Sequence, residues 1–125
     1  MTHSFEPLGL DHVVLRVRDQ AVSRRFYEEV LGCKLDHFNE RISLMQLRFG
    51  EQLIDLLPGE RGEGGGLDHF CLSIRCGDLT HLRDDLRRRG VTVDGDVVER
   101  RGAFGSGPSL YIQDPDGYRI ELKPR

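Results

Sequence analysis

Tryptophan is absent from this chain, and cysteine is nearly so: Cys33, Cys71 and Cys76 are the whole supply. An odd number at irregular spacing argues against a disulfide framework and fits a reducing compartment. Cys71 and Cys76 have no second close Cys or His set, which speaks against a structural zinc finger. No apolar run approaches the ~20 residues that a membrane helix needs. Met1 to Gly9 is short and polar and lacks the basic start and apolar core of a signal peptide, so the expected location is cytoplasmic. With a net charge of −3 there is no basic excess to draw in nucleic acid or an anionic membrane. Neither glycine cluster forms G-x-G-x-x-G or a Walker pattern, so a phosphate cradle of those kinds is not expected.

What is present describes a globular protein with a real core. Apolar residues make up 38% and charged residues 31% of 125 positions, which suits a single domain. The fifteen glycines gather at 59–66 and 102–107, marking loops. The second loop stands before the last two strands, where it could act as a lid.

The most informative feature is a repeat. Leu10-Asp11-His12 opens an apolar, β-branched run to Val17, and Leu67-Asp68-His69 opens another to Ile74, with the two histidines 57 positions apart. Each run leads to an Asp, Asp19 or Asp78, suited to cap a helix. The first helix is expected to carry Val22, Phe26 and Val30 at apolar spacing and to end at Gly32. The second should turn Leu79, Leu82 and Leu86 inward and end at Gly90. Arg24, Arg25, Glu28 and Glu29 read as a solvated face. Strands follow at roughly 33–38, 41–49 and 52–57, with turns at Asn39-Glu40 and Gly50-Glu51. After the linker Pro58 to Gly66, strands recur at about 91–99, 108–113 and 118–123, the last two joined by the turn Asp114-Pro115-Asp116-Gly117. The expected class is α+β: two βαβββ modules, about 8–58 and 66–124, in one domain of residues 1–125.

Each module begins with a strand carrying a histidine and ends with one carrying a carboxylate, Asp55 or Glu121. If the two sheets face each other about a pseudo-twofold axis, His12, Asp55, His69 and Glu121 can meet in one cavity. Two imidazoles with one or two carboxylates suit a divalent transition metal. Such a metal stabilises negative charge on a substrate oxygen while a carboxylate beside it accepts a proton. Plainer readings compete. A single strand histidine is more often a packed, hydrogen-bonded residue, Asp55 could pair with Arg48, and Glu121 could belong to a charge ladder with Arg119 and Lys123. Tyr111 shares a strand face with Gln113 and could hydrogen-bond substrate or be an ordinary sheet aromatic. Cys71, on the face of His69, reads as packing. His3, His37 and His81 have no repeat partners and read as surface.

Leu10 to Leu15, Arg25 to Gly32 and Asp114 to Leu122 together resemble the vicinal oxygen chelate superfamily, which includes glyoxalase I, extradiol dioxygenases, fosfomycin-resistance proteins and bleomycin-binding proteins. The resemblance runs from Leu10 to Lys123. It implies paired βαβββ modules wrapped around a metal cavity, the glyoxalase/bleomycin resistance/dioxygenase fold. The ending is most similar to glyoxalase I, which implies metal ligation by His12, His69 and Glu121, with Glu121 also the base. Asp55 stands where glyoxalase I has a fourth ligand, a Glu. The implied cofactor is one divalent ion: Ni, Co, Zn or Mn with four ligands, Fe(II) with three. The implied activity is a lyase or isomerase on a small substrate that chelates through adjacent oxygens. An Fe(II) ring-cleaving dioxygenase, a metal-free bleomycin-type binding protein and thiol transfer to an epoxide are the alternatives. Small relatives generally form homodimers, which is the expectation here.

Overall fold

A computed structural model describes residues 6–62 and 67–125. His3 and the end of the Gly-rich linker lie outside the described residues. The chain divides into two compact units, Met1–Arg61 and Gly62–Arg125. The first holds β1 (His12–Val17), α1 (Gln20–Glu29), β2 (Lys34–Asn39), β3 (Leu44–Phe49) and β4 (Gln52–Pro58). The second holds β5 (Phe70–Ile74), α2 (Leu79–Arg88), β6 (Thr92–Gly102), β7 (Gly105–Gln113) and β8 (Arg119–Pro124). Both are βαβββ, as the repeat implied.

The sheets run β1-β4-β3-β2 and β5-β8-β7-β6. The last strand of each unit therefore inserts between its first and third strands. β1 and β4 are parallel, as are β5 and β8, whereas the other pairings are antiparallel. A helical crossover lets a strand return parallel to one further along the chain. This topology lays the strand that begins at His12, and the one that directly follows His69, against the carboxylate-bearing strand of the same unit. The registers match: Val14 lies opposite Asp55 and Cys71 opposite Glu121, two residues beyond His12 and His69 respectively.

Both helices start as expected. Asp19 accepts from the backbone N–H groups of Ala21 and Val22 at 3.0 and 3.2 Å, and Asp78 from those of Thr80 and His81 at the same distances. Both helices are followed by a left-handed glycine, Gly32 at φ 74° and Gly90 at φ 81°, where a Cβ would be strained. The core-facing side of α1 is one residue away from the expected one. Ser23 and Tyr27 are fully buried, whereas Val22 is 47% exposed. The Gln20 amide helps set this rotation by donating to the carbonyls of Ser43 and Leu56 at 2.7 and 2.9 Å. α2 behaves as expected, with Leu79 and Leu86 buried and Leu82 partly so.

Alternation divides each sheet into two faces. In the first unit Leu15, Val17, Leu47, Ile54 and Leu56 are buried with Tyr27. In the second, Leu110, Ile112, Ile120 and Leu122 are buried with Leu79 and Leu86. His12 and Asp55, and His69 and Glu121, stand on the opposite faces.

Two boundaries differ from the sequence reading. The third strand begins at Leu44 rather than 41, because 40–43 is a turn with Ser43 at φ 55°. The glycines at 102–107 form no open loop: β6 and β7 continue through them, pairing Arg101 with Ser106 and Gly102 with Gly105. Backbone ladder bonds do not depend on side chains, so this Gly-rich stretch pairs despite its low strand propensity.

Candidate active site

In the second unit, neighbouring strands place three side chains around one carboxylate. Glu121, on the central strand β8, is 7% exposed. Tyr111 lies opposite it on β7, and Ser109 is two residues back on the same face. The Ser109 hydroxyl donates to Oε2 at 2.7 Å and the Tyr111 hydroxyl to Oε1 at 3.1 Å. His69 brings Nε2 to 3.1 Å from Oε1. Burial, the largest single influence, works to raise the pKa of Glu121. The two hydroxyls, followed by the charge and hydrogen bond of His69, outweigh it and leave the carboxyl below its ordinary value. Tyr111 is itself held: its ring meets His69 edge-on, with centroids 5.5 Å apart, and the Arg119 guanidinium lies 4.0 Å from its centre. Asp94 anchors Arg119 at 3.4 Å and accepts from Gln113 at 2.8 Å.

The other nitrogen of His69 is also occupied. Nδ1 lies 2.7 Å from Asp68, and this bond lowers the Asp68 pKa. A carboxylate on one ring nitrogen fixes the ring and makes the other nitrogen a better donor to a metal.

The first unit repeats the arrangement with changes. His12 Nδ1 lies 2.7 Å from Asp11, and Nε2 is 3.9 Å from Oδ2 of Asp55. The hydrogen bond His12 donates to Asp11, joined by the charge of Asp55, raises the His12 pKa. Gln46, directly opposite Asp55, donates to Oδ2 at 3.1 Å. Gln46 thus stands where Tyr111 stands in the second unit. Two residues earlier, Leu44 stands where Ser109 does, and a leucine donates nothing. Asp55 is 1% exposed, and its Oδ1 is buried without a hydrogen-bond partner. Arg48 does not fill that need: it pairs with Asp36 at 3.1 Å.

These donors suit a divalent metal. Each unit offers one imidazole nitrogen and one buried carboxylate, with a second carboxylate behind the imidazole. The unpartnered Asp55 oxygen is the kind of buried lone pair that a cation satisfies. Among the described residues no group of three or more His, Cys, Asp or Glu side chains is gathered as a ligand set, so each unit by itself supplies two candidate ligands.

Sequence reasoning singled out His12, Asp55, His69, Tyr111 and Glu121, and the structure groups them as His12–Asp55 and His69–Tyr111–Glu121. It missed Ser109, Gln46 and the roles of Asp11 and Asp68. The repeated Asp-His was a readable signal for the last two. Ser109 and Gln46 become visible only once the strand registers are known. His37 and His81 are exposed, as expected.

The chain is similar to known proteins over nearly its whole length. The family model described as Glyoxalase/Bleomycin resistance protein/Dioxygenase superfamily matches residues 9–122. Virulence protein STM3117 of Salmonella typhimurium is 36% identical over 121 residues, covering 90% of this chain and 81% of that protein. A lactoylglutathione lyase of the same organism is 31% identical, covering 92% of this chain and 91% of its own length. The solved structure of an integron cassette protein from the mobile metagenome of V. cholerae superimposes with a TM-score of 0.78 at 32% identity, covering 98% of both chains.

Proposed function

Because the chain belongs to the glyoxalase/bleomycin resistance/dioxygenase superfamily, we propose that it is a divalent-metal-dependent enzyme of the glyoxalase-like lyase or isomerase type. Its substrate is a small molecule that chelates through adjacent oxygens. The observation that carries this reading is the duplicated Asp–His–carboxylate arrangement, with a buried lone pair left over on Asp55. His12, His69 and Glu121 are the proposed ligands, with Asp55 as the fourth.

When bound, the metal supplies a Lewis-acid charge that stabilises an oxygen gaining negative charge. The remaining work falls to the side chains. Asp11 and Asp68 hold His12 and His69 with Nδ1 protonated and Nε2 turned toward the carboxylates. Glu121 takes the proton from carbon beside the substrate carbonyl. Ser109 and Tyr111 fix the orientation of that carboxylate. Their hydrogen bonds favour its ionised form, which is the form a base requires. Tyr111 keeps its proton on Glu121, so in this reading its hydroxyl oxygen meets substrate as an acceptor.

The test is metal analysis of purified protein beside His12→Ala and His69→Ala, with isomerisation of a 2-oxoaldehyde–thiol adduct as the activity readout. Both variants should lose metal and turnover. Unchanged metal content in both overturns the reading. Oxygen uptake with catechols after Fe(II) loading would instead favour ring cleavage, and ligand binding without metal or turnover a sequestering protein. A homodimer belongs to this proposal, and light scattering reads it directly.

A further inference from the structure

Next to Glu121 the second unit contains a cavity of about 250 Å³, lined by Cys71, Ser73, Arg101, Glu121, Lys123 and Arg125 and closed by the β6–β7 tip. Its most telling member is Lys123, which is only 8% exposed. The ammonium donates to the backbone carbonyls of Arg100 at 2.6 Å and Gly107 at 3.0 Å. That uses two of its three N–H groups. No carboxylate pairs with Lys123, Arg101 or Arg125 among the described residues. Glu121 is the one acid in the lining, and its oxygens are engaged by Ser109, Tyr111 and His69. A buried ammonium without a counter-charge is costly, so this geometry is that of a site completed by an anion.

The surroundings are shaped around that ammonium. A Cβ at Gly102 would fall 3.0 Å from Cε of Lys123, so the hairpin lies close on the lysine stem and a side chain there would press on it. At the tip, Phe104 is 68% exposed, and the Arg125 guanidinium sits 4.5 Å over its ring. That stacking holds a second cation at the rim of the cavity.

We propose that this cavity is an oxyanion subsite: Lys123, aided by Arg101 and Arg125, takes a carboxylate or phosphate-class group of the substrate. Sharing a wall with Glu121, it would place the carbon next to that group at the base. The proposal rests on the preceding reading only in taking Glu121 as the reacting carboxylate; anion binding itself needs no metal. The volume suits a small head group rather than an entire large ligand.

The test uses the full chain, stripped of metal, at constant ionic strength. Inorganic phosphate, acetate and glycerol are titrated separately, with backbone amide NMR shifts at 102–107 and 123–125 as the readout. Phosphate or acetate should give saturable shifts, the tighter of the two naming the head group, and glycerol none. Lys123→Met should weaken the anion about tenfold or more, the loss of one charged hydrogen bond. Arg101→Ala, at an exposed position that cannot disturb the core, should weaken it severalfold. Lys123→Met should keep the wild-type metal content. Anion binding by wild-type protein that takes up no metal would overturn the metal reading and leave the subsite standing. The subsite is overturned if neither anion saturates, if glycerol shifts the same amides, or if Arg101→Ala and a folded Lys123→Met both bind as wild type does.

Discussion

His12 and His69 each meet an aspartate 2.7 Å from Nδ1, yet the acids at their other nitrogens have different surroundings. Glu121 receives two hydroxyl bonds and lies 3.1 Å from its histidine. Asp55, one methylene shorter, receives one amide bond and lies 3.9 Å away, with one oxygen unpartnered. The substitution of Leu44 for a Ser109-like donor, and of Gln46 for a Tyr111-like one, accounts for the contrast. Duplication kept the strand order and the histidine in both units. Paired hydroxyl donors that favour an ionised carboxylate are present in the second unit alone. On the proposed function, the first unit serves as a ligand donor and the second as both ligand donor and base.

The largest expected effect tests that division. Glu121→Gln should lower kcat/KM by about 10²–10⁴-fold, whereas Asp55→Asn should cost ~10–100-fold, chiefly through metal affinity. Steady-state kinetics with metal titration separates the two. Equal losses, with equal effects on metal content, would break the comparison. Next come the donors. Ser109→Ala or Tyr111→Phe takes a partner from a buried carboxylate and should destabilise by about 1–3 kcal/mol in urea unfolding. Gln46→Ala should do the same for Asp55. The helix caps offer a contrast in which the units should behave alike: Asp19→Ala and Asp78→Ala should each cost ~1 kcal/mol, since their geometries coincide. The smallest effect is on pH dependence. Glu121 has a folded pKa below its unfolded one, so its contribution to stability is present above the unfolded value and is lost as pH falls through the folded one. Urea midpoints of the metal-free protein between pH 3 and 6 should fall less steeply in Glu121→Gln than in wild type.

The second copy of Leu-Asp-His, the two capping aspartates and the glycines after each helix were legible because each is a local signal. N-caps and left-handed glycines act within one turn of chain, and a repeat is visible without knowing any contact. The face of α1 was misread because a helix with Val22, Phe26 and Val30 on one stripe and Tyr27 beside it has two plausible buried sides. Packing against β3 and β4, together with the Gln20 amide, chose Ser23 and Tyr27. The 102–107 stretch was misread because glycine suppresses strand propensity without preventing backbone pairing.

The sequence by itself determined which residue types recur at matching places: a histidine at the head of each module and an acid at its end. Only the tertiary structure decided which of these touch. The insertion of β4 beside β1 and of β8 beside β5 brings residues 43 and 52 positions apart into hydrogen-bonding range or close to it. Strand register then chose Ser109 and Tyr111 as donors to Glu121 and left Asp55 with Gln46 alone. Register depends on every pairing across a sheet at once, and no local stretch of chain encodes it.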